Sequence, residues 1–150
     1  MALSARFAMA VHTLGILALS GEGPVTSERI AASVHTNPVT IRRIFQALGR
    51  AGLVVGQLGP NGGTRLARPP ETIDLAEVWR AVEDGDLFAF AASGGNPTCP
   101  VSCGVQPVLG EIFGDAEEAL EQALSRISLA TVVARVRARA GATPAPVPSA

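Results

Sequence analysis

Lysine is absent from this 150-residue chain, whose twelve basic side chains are all arginines, and no function follows from that bias. Cysteine is scarce as well. The two thiols, Cys99 and Cys103, are too few and too close together to frame a secreted disulfide domain, so a reducing, cytoplasmic setting is expected. A long apolar run is missing too: the stretch from Phe7 to Leu19 is interrupted by His12 and Thr13 and falls short of the ~20 residues a membrane helix requires. It follows Arg6 as a signal peptide would, but no small-residue cleavage pattern closes it. There is no Gly-Lys-Ser/Thr phosphate loop, no nucleophile elbow and no histidine-rich metal site, and Cys99 has no evident base partner, so catalysis is not expected.

What is present is divided unevenly. Residues 1–70 hold seven arginines (Arg6, Arg29, Arg42, Arg43, Arg50, Arg65, Arg68) against Glu22 and Glu28, a net +5. Residues 71–150 hold five arginines against eleven acids, a net −6. The overall charge of −1 therefore conceals a basic half suited to nucleic acid.

Ser4 caps a first helix to about Leu19, with Phe7, Val11, Leu14 and Ala18 as its apolar stripe. Gly21, Gly23 and Pro24 break it, and Thr26 caps a short helix through Val34 with Ile30, Ala31 and Val34 inward. After a tight turn, Asn37-Pro38 starts a third helix, since Asn accepts from a free amide and Pro at the first position loses no needed donor. Ile41, Ile44, Phe45 and Leu48 form its core face, leaving Thr40, Arg43 and Gln46, flanked by Val39 and Arg42, pointing away. Gly52 stops it. Leu53–Leu58 and Thr64–Ala67 read as two strands around the turn Gly59-Pro60-Asn61-Gly62-Gly63. Asp74 and Glu77 form a capping-box pattern for a fourth helix ending near Gly85.

Residues 86–104, with glycines and prolines around the cysteines, read as irregular. A long helix is expected from about Pro107, with Val105, Leu109, Ile112 and Ala116 on one apolar stripe and Phe113, Leu120, Leu124 and Ile127 on another. Two stripes need two partners: the chain's own core and the same helix of a second subunit about a two-fold axis. Val105, Leu109, Ile112, Phe113, Ala116 and Leu120 are the candidate dimerisation residues. Ser128 caps a last helix to about Arg139, and residues 141–150, rich in Pro and Ala, are expected to be disordered.

The expected fold is mainly α with a small β-hairpin. A winged helix-turn-helix domain (1–85) is followed by a cysteine-containing sensor loop (86–104), dimerisation and terminal helices (105–140) and a tail. A short helix, a tight turn and a second helix opening with small polar and cationic residues present side chains to the major groove. The candidate DNA contacts are Thr26, Ser27, Asn37, Val39, Thr40, Arg42 and Arg43 on the helices, with Asn61, Gly62 and Arg65 on the wing. The bland alternative is that these polar residues are only solvated.

Several runs together carry a resemblance: Arg50-Ala51-Gly52-Leu53-Val54, the wing Gly59-Pro60-Asn61-Gly62-Gly63, Leu66-Ala67-Arg68-Pro69-Pro70 with Ile73 and Leu75, and Ala81-Val82-Glu83. From Ser4 to about Val136 the chain resembles the Rrf2 (Rrf-two) family of winged-helix transcriptional regulators. Asn96-Pro97-Thr98-Cys99-Pro100-Val101, with Ala10-Val11-His12 and Thr36-Asn37-Pro38-Val39, looks most like its YwnA-type branch. The resemblance implies a homodimer joined by the long helix, a palindromic operator in double-stranded DNA, and usually repression. This chain departs from it in having Leu58 where a cation usually precedes the wing and Thr64 where an aromatic usually follows the glycine pair. Cluster-bearing members offer three cysteines in the loop, whereas Cys99 and Cys103 are two, so an iron-sulfur cofactor is not expected.

His12 aligns with a position that supplies a ligand in a minority of such relatives; the competing reading is a packed core or interface histidine. For Cys99 and Cys103 the readings are sensor thiols answering an oxidant, or a merely packed pair. A small-molecule effector is a further possibility for regulation, and the sequence names none. The functional alternatives to a DNA-binding regulator are a winged-helix module that binds protein and a thiol redox protein.

Overall fold

One helix, α1 (Leu3–Leu19), packs against four of the five other α-helices and one strand in the computed structural model, which describes residues 3–83, 85, 87, 88, 96 and 98–141. Its Ala10, Leu14, Ile16 and Leu17 are buried. Around it stand α2 (Ser27–Val34), α3 (Pro38–Arg50), β1 (Val54–Gln57), β2 (Gly63–Leu66), a 3-10 turn at Pro70–Thr72, α4 (Leu75–Val82), α5 (Pro100–Ser125) and α6 (Leu129–Ala140). The helix begins at Leu3, so Ser4 lies inside it and is not its cap.

The local signals for α2, α3 and α4 act as chemistry dictates. Thr26 accepts from the Arg29 amide at 3.3 Å, and Asn37 Oδ1 accepts from the Val39 amide at 2.8 Å. Asp74 and Glu77 bond reciprocally at 2.9 and 3.2 Å, closing the capping box, worth about 1 kcal/mol. Residues Ile30 and Ala31 of α2 and Ile41, Ile44, Ala47 and Leu48 of α3 go into one core with α1, while Phe45 packs at its edge.

β1 and β2 pair antiparallel, Val54 with Leu66 and Gln57 with Gly63. A third segment joins them: Val25 exchanges two backbone bonds with Thr64, both 2.8 Å. Gly63 makes this possible. At φ 153° it occupies backbone space that favours glycine, and a Cβ there would stand 2.7 Å from the Val25 carbonyl oxygen.

The C-terminal part folds back on the winged unit. Leu75 donates to the Ile127 carbonyl at 3.0 Å and Leu129 to the Ile73 carbonyl at 2.8 Å, so Leu129 and Val133 of α6 join the core built by α1. Ser128 caps α6 through the Thr131 amide.

One boundary differs from expectation. α5 starts at Pro100, seven residues before the expected Pro107, so Pro100–Gly104 of the presumed loop is helical. Pro100 has the fixed φ that suits a first helical position, and the helix continues through Pro107, which removes one intrahelical donor and crowds the carbonyl one turn earlier. The expectations for the rest of 86–97 beyond Leu87, Phe88 and Asn96, and for 142–150, lie outside the described residues.

Replacing Gly63 with Ala is expected to destabilise the fold by about 1–3 kcal/mol, from backbone strain and the lost Val25 bridge. Urea unfolding followed by circular dichroism reads this as a lower midpoint at unchanged slope.

Candidate nucleic-acid interface

Burying one side of α3 turns its other side outward. Val39 is 48% exposed, Arg42, Arg43 and Gln46 are exposed, and Thr40 is half-buried beside them. These residues are not equivalent. Arg43 is engaged by no ion pair or hydrogen bond among the described residues, and with Arg6, Thr40 and Ile44 it lines an open cleft of about 310 Å³. Arg6 entered the sequence reading only as part of the charge balance; its place beside Arg43 arises from the way α1 crosses α3.

Arg42, by contrast, is held within the protein. Its guanidinium forms an ion pair with Glu28 of α2, and its Nε donates to Ser27 Oγ at 3.2 Å. Ser27 is only 9% exposed, which makes it a support for Arg42 and leaves little of it to meet a ligand. The Glu28 carboxyl is held below the ordinary glutamate range, first by its own backbone amide and then by the Arg42 guanidinium.

The start of α3 also differs from a bare helix N-terminus. The Val39 amide is taken by Asn37 Oδ1 and the Thr40 amide by the Asn37 carbonyl at 2.9 Å, while Pro38 has no donor. The donors left free at this end of α3 are therefore side-chain groups, the Asn37 amide nitrogen among them, more than backbone N–H groups. Thr26 is exposed and its oxygen serves as the α2 cap. His35 holds a left-handed backbone (φ 55°) at the end of α2, a structural use.

On the wing, Asn61 and Arg65 are exposed, and Arg65 reaches the Leu66 carbonyl at 3.5 Å. Gly62 donates its own amide to the Gly59 carbonyl at 2.9 Å, so that amide, expected to face the phosphate wall, is already used. Its small size is required all the same, because a Cβ would stand 2.3 Å from the Gln57 carbonyl oxygen. Leu58 is 98% exposed at the wing's edge.

The proposed subunit interface is partly open. Val101, Val105, Val108 and Ile112 fall at three-four spacing on α5 and are all exposed, and no residue of α5 is buried within the chain. Leu109, Ala116 and Leu120 are half-buried. Phe113 stacks on Phe88 with centroids 4.5 Å apart, so part of its ring is already engaged inside the chain.

The family model for Rrf2, described as an iron-dependent transcriptional regulator, matches residues 3–135. The chain belongs to the Rrf2 family. It is 34% identical over 131 residues to YwnA of Bacillus subtilis strain 168, a candidate HTH-type transcriptional regulator, covering 87% of this chain and 96% of that protein. Among solved structures, a candidate DNA-binding protein is 34% identical with a TM-score of 0.68, covering 85% of this chain and 97% of that one. IscR from T. potens shares the fold at 24% identity and a TM-score of 0.68, over 93% of this chain and 90% of that one. Like other Rrf2 proteins, this one is a transcriptional regulator and not an enzyme. No helix among its described residues is long and apolar enough to cross a membrane.

A place for iron depends on donor atoms. The Rrf2 chain has two cysteines and two histidines in all, and among the described residues no three His, Cys, Asp or Glu side chains gather. His12 is exposed, not packed in the core, and its Nε2 lies 3.3 Å from Ser33 Oγ. A three-thiolate cluster site does not fit within one such chain.

The two thiols are separated by one helical turn. Cys99 is the residue before the first turn of α5, and Cys103, whose amide donates to the Cys99 carbonyl at 3.1 Å, is exposed. The Ser102 amide, then the Ser102 hydroxyl and the Val101 amide, favour the Cys99 thiolate and lower its pKa. A lowered pKa means more thiolate at neutral pH, so the alkylation rate of Cys99 by iodoacetamide is expected to reach half its maximum at a lower pH than for an unperturbed cysteine in a short peptide. Mass spectrometry of peptides, with Cys99→Ser as control, checks it.

Proposed function

We propose that this Rrf2 protein binds duplex DNA as a cytoplasmic homodimer, recognises a palindromic operator and represses transcription. The observation that carries the reading is the outward face of α3, where Val39, Thr40 and the unengaged Arg43 stand together beyond a fully packed core face. Two such faces related by a two-fold axis match an inverted repeat, and the open apolar stripe of α5 gives that axis a seat. Asn61 and Arg65 of the wing reach the flanking backbone, while Leu58 adds no charge there.

The regulator works without a resident iron-sulfur cluster in this reading, because the whole chain supplies only two cysteines. Cys99, favoured as thiolate at the head of the dimerisation helix, supports an oxidant as the signal. A module that binds only protein would have no DNA affinity for a change at Arg43 to remove.

The test is a gel shift on the promoter upstream of the protein's own gene, with competitor DNA at two salt concentrations. Specific binding that falls steeply with salt is expected. Arg43→Ala should weaken it about tenfold or more while leaving the dimer intact in sedimentation, whereas Ile112→Glu should yield monomers. Binding that competitor abolishes equally, or none, would support the protein-binding alternative.

A further inference from the structure

The recognition surface contains an acid where phosphate is to be met. Glu28 lies on α2, exposed, and pairs with Arg42 on α3, while Ser27 takes the Arg42 Nε from the buried side. The three side chains bridge the two helices of the helix-turn-helix at its solvent edge. Both members of the ion pair are about half exposed (side chains 55% and 53%), a setting in which such pairs add little to stability. Their effect on charge is large by comparison: two neighbouring arginines on the reading helix count as one free cation.

We infer that Glu28 and Ser27 are positioning residues that clamp Arg42 toward a base edge, and that Glu28 withholds one phosphate contact so that binding depends more on sequence than on backbone charge. The inference rests on the DNA-binding reading above. Its physical basis is that phosphate contacts raise affinity for every sequence alike, whereas base contacts discriminate. An arginine already neutralised by a carboxylate releases no counterion from DNA, so it strengthens operator and non-operator binding less than a free one. The guanidinium is suited to this use because its planar fork serves a carboxylate and a hydroxyl at once, which a lysine ammonium does with less geometric definition. Arg43, one residue further and unpaired among the described residues, is left as the cation that meets phosphate.

The experiment measures affinity for the operator and for a scrambled duplex of equal length by fluorescence anisotropy, across about 50 to 200 mM salt. Wild type, Glu28→Gln, Arg42→Lys, Arg42→Gln and Arg43→Gln are compared, each first shown by circular dichroism and sedimentation to keep fold and dimer. Freeing Arg42 in Glu28→Gln should tighten binding to the scrambled duplex several-fold. It should also steepen the slope of log affinity against log salt by about 0.9 per subunit and lower the operator-to-scrambled ratio. Arg43→Gln should lose about 0.9 per subunit from that slope, and Arg42→Gln should lose little of it while weakening operator binding. Arg42→Lys, which keeps the charge and the pairing with Glu28 but not the bond to Ser27, should give an intermediate operator affinity at wild-type slope.

The clamp is overturned if wild type binds its operator but Arg42→Gln loses as much slope as Arg43→Gln, or if Glu28→Gln leaves the scrambled duplex affinity unchanged. A wild-type protein with no preference for operator over scrambled DNA overturns the DNA-binding reading itself, and the clamp with it.

Discussion

Burial of Ile41, Ile44, Ala47 and Leu48 in the core shared by α1, α2 and α4 is the constraint on which the rest depends. Each of the larger side chains contributes about 1.5–3 kcal/mol on leaving water, so the rotation of α3 about its own axis is fixed by several kcal/mol. Rotation by one residue, about 100°, would bury Arg42 and expose Ile41. With the core face fixed, Val39, Thr40 and Arg43 have no direction left but outward. The caps at Thr26 and Asn37 then set where the two helices of the motif begin, and the turn between them ends on the left-handed His35.

The same core couples the reading unit to the rest of the regulator. α6 reaches it through Leu129 and Val133, and two backbone bonds tie its start to the strand-like segment before α4. α5, suspended between α4 and α6, has no buried residue of its own, and its Val101, Val105, Val108 and Ile112 are exposed. Cys99 stands at its head. In the dimer proposed above, a chemical change at that thiol would act on the element that sets the spacing between the two α3 helices.

Much of this was legible in the residues. Asn37-Pro38, Asp74 with Glu77, and Ser128 mark helix starts by local chemistry, and the three-four spacing of Ile41, Ile44 and Leu48 marks the buried face. What was not legible depends on pairings through space. Val25 bridges Thr64 from a single extended residue between Pro24 and Thr26, too short to show any period. Glu28 and Arg42 are fourteen positions apart on different helices, and only the packing of α2 on α3 brings them together, so from the residues alone Arg42 and Arg43 stand as equals. The early start of α5 was hidden because Gly94, Gly95, Asn96, Pro97 and Pro100 around the cysteines read as loop, although Pro100 at a first position favours a helix.

The central claim, that α3 reads sequence within a two-fold symmetric dimer, is tested most directly by selecting bound duplexes from a random pool with the purified full chain and sequencing them. The account predicts an enriched inverted repeat whose half-sites are centred about one helical turn, or a multiple of it, apart. Enrichment of a single unrepeated motif would contradict the dimer geometry, and a pool that stays random would contradict sequence reading by α3 altogether.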